Sequence, residues 1–592
     1  MICNFIRKVV SPLFKLGCSE ELQKAKIGSG VHGDHHSRRF EVPPPTSPAP
    51  SYHLSDNDIR LSSTMDQHAS VCCGQMLSRF GRATLEDIPE EVRCHILSFL
   101  SCNEIIRCAL TCQTMYTTVK SSIELQYTIE LGAQKLIQVH PRPPTVSTAE
   151  CLCILRDKAN AWNSFEINTT KTLCSTRLFE SNSVAHQQLI CSDSTIVEDA
   201  SSDTVDIQTY TTCIAQVGVN RLNPGLRTFR YIDDMQDLEI TIKFPIDVDV
   251  DTYELKYQIL FHTLSTGEEH PLSHGSRVIT GGAACSEALE IQLIVSVHGD
   301  RLAVYIAELD ENCDSYWSLH VWSWHQGAQA DDVCVVGKGN ELSDVNFFTK
   351  EKVLALSSDG HIELYDVEDL SKAPQLQARF ILPVHTELGV FHHPSVFHSA
   401  ASCAHLAIPD DNWIWTTNPA DRVISVVWAF PSSVFVISAR IFFMDIHPTW
   451  FDATSKDGRS IPWSSWGPQN SRYFPEEMLG REGLRSLGMG GSRVIWAVPV
   501  AGNDSFSQFH VADFNPSAVA RGMGNVVREP TISTGLKPDI QVTTYLPFVE
   551  VVRKCVIHGS LWDIVLDEEG MVVLTRPEIE SEWKMQANFF DM

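Results

Sequence analysis

A few places in this sequence bring together residue types that could do chemistry. Gly28, Gly30 and Gly33 have the Gly-x-Gly-x-x-Gly spacing whose backbone N–H groups cradle a pyrophosphate when a strand leads in and a helix follows. His32, Asp34, His35 and His36 overlap it and are metal-ligand types. Asp310-Glu311 is an adjacent acidic pair of the kind that could share acid and base roles. None has the local support its chemistry needs. No strand pattern precedes Gly28 and a proline-rich run follows it. The histidines sit in a flexible composition, where a metal would have to offset the full ordering entropy. Asp310-Glu311 falls in the polar turn LDENCDS, where a solvated turn is the plainer reading. Gly-x-Ser-x-Gly, His-Glu-x-x-His, P-loop and kinase signatures are absent. No catalytic residue, metal or cofactor is therefore expected. Carboxylates gathered from distant segments would escape such motifs, which leaves an enzyme such as a glycosidase as an alternative.

The composition narrows the partners. The chain has 592 residues, too many for one core at about 150 residues per domain. Its 46 Lys and Arg stand against 73 Asp and Glu, a net charge of -27, and no basic cluster offers itself to a phosphate backbone or an anionic bilayer. Neither nucleic acid nor membrane is expected as a partner. The 18 cysteines are scattered without Cys-x-x-Cys pairs, which suits a reducing compartment. Arg7-Lys8 interrupts the first apolar run, so it does not read as a secretory signal, and Val423 to Ile446 is broken by Pro431-Ser432-Ser433 and Arg440. The expectation is a soluble protein of the cytoplasm or nucleus.

Periodicity then divides the chain. Residues 1–83 mix His, Ser, Gly and Pro without apolar periodicity and read as a disordered tail. After Ile88, Pro89 suits the first helical position, and Glu90 and Glu91 place negative charge at the positive end of the helix dipole. Val92, Ile96, Leu97 and Leu100 then recur at helical spacing. Ser101 and Glu104 form a capping-box pattern that opens a second helix with Ile105, Ile106 and Ala109 on its apolar side. Helices this small cannot bury all of that surface by themselves.

Residues 84–132 resemble the F-box, the helical module that docks onto the adaptor subunit of cullin-RING ubiquitin ligases. Ile88-Pro89 takes the place of its opening Leu-Pro, Glu91-Val92 of its acidic and aliphatic positions, and Ile96-Leu97 with Leu100 of its Ile-Leu-x-x-Leu core. Met115-Tyr116 stands where the family usually has Trp. The resemblance implies that Ile88, Pro89, Val92, Ile96, Leu97, Leu100, Ile105, Ile106 and Ala109 form the adaptor surface and its supporting core. An ordinary helical hairpin at the edge of a larger domain would carry the same pattern. Ile123, Tyr127 and Leu131 fit a helix, while Ile123, Leu125, Tyr127, Ile129 and Leu131 alternate like a strand; the resemblance favours helix. Residues 133–165 read as a linker and connector helix, opened by a second capping box at Ser147 and Glu150, with Leu152, Leu155, Ala159 and Trp162 inward.

From 166 to 592 short apolar runs alternate with turn residues, which argues for a large all-β domain nearly free of helix. Lys352 to Val367 reads as two strands around Ser358-Asp359-Gly360. This hairpin resembles the inner strands of a WD-type propeller blade, with Leu364-Tyr365-Asp366 and, about one blade period earlier, Val321-Trp322-Ser323 where that family has Trp-Asp. The resemblance implies six to eight blades; a pair of β-sandwiches is the alternative. Further strands are expected at Glu290 to Val297, Arg301 to Ala307, Asp421 to Phe430, Ser433 to Phe443, Ser492 to Pro499, Phe506 to Phe514 and Trp562 to Thr575. The lone Gly360-His361 falls inside a turn rather than upstream of a blade. His447 to Gly491 reads as a long loop whose Trp450, Trp463, Trp466, Arg472, Tyr473 and Phe474 are of the types enriched at binding hot spots, and equally of the types that would pack a loop down. Its Ile-Pro-Trp-x-x-Trp-Gly-Pro run resembles one in fungal F-box proteins with β-rich C-terminal halves. The expected architecture is thus multi-domain: a disordered N-terminal tail, a small all-α F-box-like module, and a large all-β, propeller-like region. The function it implies is a substrate receptor that joins an unknown target to the ligase adaptor and through it to a cullin, or else an adaptor-binding scaffold that degrades nothing.

Overall fold

The computed structural model describes residues 88–138, 146–165 and the segments between 168 and 591 that are named below. The tail, with Gly28, Gly30, Gly33 and the histidines beside them, and Asp310-Glu311 lie outside the described residues. The chain forms two compact units. Among the described residues one holds 88–100 and 107–122, and the other holds 101–106 and the chain from 123 onward.

The expected short helices are α1 (Glu90–Leu97), α2 (Cys102–Ala109) and α3 (Gln113–Ser121). Pro89 caps α1, with Glu90 and Glu91 in its first turn. Glu104 accepts from the N–H of Ser101 at 2.9 Å and from its hydroxyl at 2.7 Å, which holds the start of α2. Within the first unit Arg93 donates to Thr118 at 3.0 Å and Ser121 donates to Glu90, tying α1 to α3.

The ambiguous stretch after Ser122 is helical: α4 (Ile123–Gln134) buries Leu125, Glu130 and Ala133. Its packing is what decides for helix, because the strand-like alternation would have turned Glu130 and Gln134 away from their partner. That partner is α5 (Thr148–Ser164), whose capping box between Ser147 and Glu150 is complete. Glu130 pairs with Arg156 at 3.6 Å, and Gln134 donates to the Leu155 carbonyl at 2.9 Å. The helix expected as a connector is an integral part of the β region. Cys151 and Leu155 pack with Trp415, whose indole N–H donates to the Tyr127 hydroxyl at 2.6 Å. Leu136–Gln138 pairs antiparallel with Trp415–Thr417. Phe165 leaves α5 in a left-handed conformation, φ 46, uncomfortable for a bulky residue. Full burial of its ring beside Trp162, Phe509 and Ile564 holds it there.

The β region consists of six sheets of three or more strands among the described residues. The first is Thr228–Asp233, Leu238–Lys243, Glu254–Thr263 and Arg277–Ala284. The second is built on Glu290–His298, Arg301–Leu309, Ser315–Ser323 and Cys334–Lys338. The third is built on Leu342–Thr349, Lys352–Ser357, His361–Asp366 and Gln375–Ile381, and the fourth is Val423–Ala429, Ser432–Ser438 and Ser471–Phe474. The fifth is built on Leu487–Gly490, Arg493–Val500, Asn503–Asp513 and Phe548–Val556. The sixth, Ser560–Leu566, Gly570–Arg576 and Met585–Asp591, is completed by Asn168–Ser175 from the far end of the β region.

Each sheet shares a core with the next. Ile240 and Tyr257 of the first meet Val304 and Trp322 of the second, and Tyr305 and Leu319 of the second meet Phe347 and Tyr365 of the third. Leu364 and Phe380 meet Phe435 and Ile437 of the fourth; Val434 and Phe474 meet Trp496 and Phe548 of the fifth; Ile495 and Phe509 meet Ile564 and Val573 of the sixth. Successive side chains of a strand point to opposite faces, so Leu302, Val304 and Ile306 face one neighbour while Ala303, Tyr305 and Ala307 face the other. Sheets stacked face to face in chain order, with an early strand closing the last one, have the arrangement of a β-propeller. A pair of sandwiches would instead place one core between two sheets.

Some strand limits differ from expectation. The hairpin at 352–366 stands as expected, with Gly360 at φ 83 in its turn. Trp562 to Thr575 is two strands rather than one, and the strand from Ser432 ends at Ser438, where Ala439–Phe442 turns into 3-10 helix. Phe165→Ala should remove about 3 kcal/mol or more from the stability of the β region by opening a cavity where α5 meets the fifth and sixth sheets. Tyr127→Phe should cost about 1 to 3 kcal/mol by stranding the Trp415 N–H. Both are read from chemical denaturation followed by tryptophan fluorescence.

Candidate functional site

The structure divides the apolar residues of the helical module by side. Leu97 and Ile105 are 1% and 0% exposed and belong to the interior. Ile88, Leu100, Ile106 and Ala109 are half-buried, and Pro89 is exposed. Val92 and Ile96 are 46% and 50% exposed, and Phe99 just beyond α1 is 76% exposed. At four- and three-residue spacing, 92, 96 and 99 lie along one side of the helix, while Leu97 lies on the other. The expected single stripe from Val92 to Leu100 is therefore two: one seals the module and the other meets solvent. Phe99 is not among the residues the resemblance implies, although its spacing of seven from Val92 and three from Ile96 is the signal that points to it. Its ring leans edge-on against His95 at 4.9 Å. Leu110, 40% exposed, lies at the end of α2. Glu90 and Glu91 are exposed at the start of α1. A cluster of this kind has no group for bond chemistry. Apolar surface left in water beside a polar rim is what another polypeptide covers.

The start of α2 is fixed within the second unit. Cys102 donates its thiol to the Ile129 carbonyl at 3.5 Å, and a Cβ at Gly132 would lie 2.2 Å from Cys102 Cβ. Only glycine lets α4 approach this closely. Burial pushes the Cys102 thiol pKa up, so it stays protonated. At the next residue of α4, the Ala133 carbonyl accepts from Asn515 at 3.4 Å and Arg521 at 3.3 Å.

The second group of candidates is a different matter. The segment from His447 to Gly491 is no open loop: it contains Pro448–Trp450 as 3-10 helix, the short strand Ser460–Ile461, α6 (Trp463–Asn470), Ser471–Phe474 and α7 (Glu476–Leu479). Trp466, Arg472, Tyr473 and Phe474 are at most 3% exposed, which closes them to any target. Trp450 and Trp463 are half-buried against the same core. Trp463 and Trp466 meet edge-on at 5.0 Å, and Gly467 is required because a Cβ there would lie 2.2 Å from the Trp463 ring. The Ile-Pro-Trp-x-x-Trp-Gly-Pro run is thus a packing motif. Arg472 donates to the carbonyls of Leu546 and Glu529 and to the Thr531 hydroxyl at 2.7 to 2.9 Å, and it lies over the Phe548 ring. Burial pulls its pKa down to about 10. Aromatic residues and arginine fill both interfaces and cores, and residue type alone does not say which.

No group of three or more His, Cys, Asp or Glu is placed to hold a metal among the described residues. Among the same residues no helix is long and apolar enough to cross a membrane.

Comparison with known proteins agrees on the helical module. Residues 85–127 match the F-box domain. No curated protein matches the chain. Among solved structures, the WD40 domain of SCAP from fission yeast aligns at 9% identity over 61% of this chain and 70% of that one, with a TM-score of 0.24. The β-propeller domain of Myceliophteria_thermophila Cps50 (Swd1) aligns at 9% identity over 63% of this chain and 99% of that one, with a TM-score of 0.23. Kluyveromyces lactis Hsv2p aligns at 12% identity over 45% and 78%, with a TM-score of 0.20. The propeller assignment rests on the sheet order and shared cores given above. The chain thus carries an F-box domain at residues 85–127, followed by a β region whose sheet order is propeller-like.

Proposed function

We propose that this protein is the substrate-recognition subunit of an SCF-type, cullin-RING ubiquitin ligase. The observation that carries the reading is the bare stripe of Val92, Ile96 and Phe99 within the F-box domain. F-box domains generally bind the ligase adaptor, and through it a cullin. The β region then holds a target protein close to ubiquitin-loading subunits. The contribution is proximity: holding a target lysine beside an activated ubiquitin raises its effective concentration, and no bond is made or broken by this chain. No cofactor is needed for that role, and its place of action is the cytoplasm or nucleus.

Burial sets the choice of test. Ile105→Asp would put a carboxylate into a fully buried site and unfold the module, so loss of binding would say nothing. Val92→Asp with Ile96→Asp changes exposed side chains only. Truncating the central anchors of an interface typically costs about 2 kcal/mol each, so this pair should abolish co-purification of the adaptor and cullin while the circular dichroism of the purified chain stays unchanged. Retention of the adaptor by the doubly substituted protein would refute the proposal. In cells, the same substitutions should lengthen the half-life of proteins captured by the intact β region. Unchanged half-lives despite adaptor binding by the wild type would instead indicate a scaffold.

A further inference from the structure

The hairpin between the second and third strands of the third sheet carries a line of polar residues on one face: Ser357, Asp359, His361, Glu363 and Tyr365. Their i, i+2 spacing is that of a strand, but the face is interior, with Glu363 5% exposed and Tyr365 4% exposed. His361 stands between two carboxylates. Its Nδ1 is 2.7 Å from Asp359 Oδ1 and its Nε2 is 3.4 Å from Glu363 Oε1. Glu363 also accepts from Arg379 Nε at 2.9 Å and from the Tyr365 hydroxyl, and Asp359 accepts from the Ser357 hydroxyl. Arg459, on the adjoining segment, donates to the Leu376 carbonyl.

A neutral imidazole has one N–H and one lone pair, so in this position one nitrogen would present its lone pair to a carboxylate. Only the imidazolium donates to both. With it, two cations, His361 and Arg379, face two anions, Asp359 and Glu363; without it, the buried cluster carries an uncompensated negative charge.

The cluster sits where three pieces of chain meet. The Gly360 N–H donates to the Ser357 carbonyl, and the Leu382 N–H donates to the Gly360 carbonyl, each at 3.0 Å. His361 pairs with Ile381 across the sheet, and Arg379 and Phe380 pair in parallel with Ser460 and Ile461. We infer that protonated His361 is a pH-sensitive latch that holds the turn 357–361, the end of strand Gln375–Ile381 and the strand Ser460–Ile461 together, and that its deprotonation loosens this end of the third sheet first.

The direction follows from the charges. Desolvation works against the protonated ring, but hydrogen bonds and Coulomb attraction from Asp359 and Glu363 outweigh it and raise the His361 pKa above its ordinary 6.5. The stabilisation is therefore complete below about pH 6.5 and is lost as pH rises through the raised value. Asp359 and Glu363 are shifted the other way, below 3.8 and 4.5: burial opposes this, but His361 and their other donors prevail. Their share is present above those values and lost on acidification.

Hydrogen exchange of the full chain, followed by peptide from about pH 6 to pH 9 and corrected for intrinsic exchange, reads this directly. Segments 357–366 and 376–382 should lose protection across that range while residues 293–306 in the second sheet do not. His361→Gln should lower protection in the two segments and flatten its pH response. The latch is refuted if the wild-type segments track the second sheet at every pH, or if His361→Gln keeps the wild-type response. The wild-type series decides the matter even if the variant folds poorly.

Discussion

The pairing of Asn168–Ser175 with Met585–Asp591 is the constraint on which the rest of the β region depends. The second to fifth sheets have apolar residues on both faces and need a neighbour on each side. A row of such sheets would end with bare faces, whereas one whose early strand completes the last sheet brings its ends together. The chain immediately before that strand is held as well: Trp162 and Phe165 enter the core of the fifth and sixth sheets, so α5 is fixed, and α4 packs along α5. The helix that the sequence presents as a link, α5, and α4, which it presents as the end of the F-box-like module, are thereby made part of the larger unit.

Apolar side chains have opposite fates in the two candidate regions. Trp466 and Phe474 lie in shared cores, where burial is worth about 25 cal/mol for each Å² of apolar area removed from water. Val92 and Ile96, on one side of the eight-residue α1, and Phe99 just beyond it forgo that gain. Three such residues left in a line in water make a surface suited to a second polypeptide. They lie within residues 85–127, which match the F-box domain.

Buried charge is handled in two ways. Arg472 has carbonyl, hydroxyl and aromatic partners, and its guanidinium takes the desolvation as a lowered pKa. Asp359, His361, Glu363 and Arg379 instead balance one another. The first arrangement does not depend on pH near neutrality. The second does, because histidine is the member whose charge changes there.

Local chemistry was legible in the sequence: the Pro89 start of α1, the capping box of α5, the turn at Gly360 and the alternation of the hairpin around it all follow from neighbours within a few residues. The F-box could be read for the same reason, since its pattern spans about forty consecutive positions. What periodicity could not supply was the partner of each apolar face. It joined Val92 and Leu97 in one stripe that the fold divides, and residue type offered Arg472 and Trp466 equally as a binding surface and as packing, although both lie in the interior. Only the tertiary structure decided these, because burial depends on residues hundreds of positions away, as Trp415 is from Tyr127 and Met585–Asp591 from Asn168–Ser175.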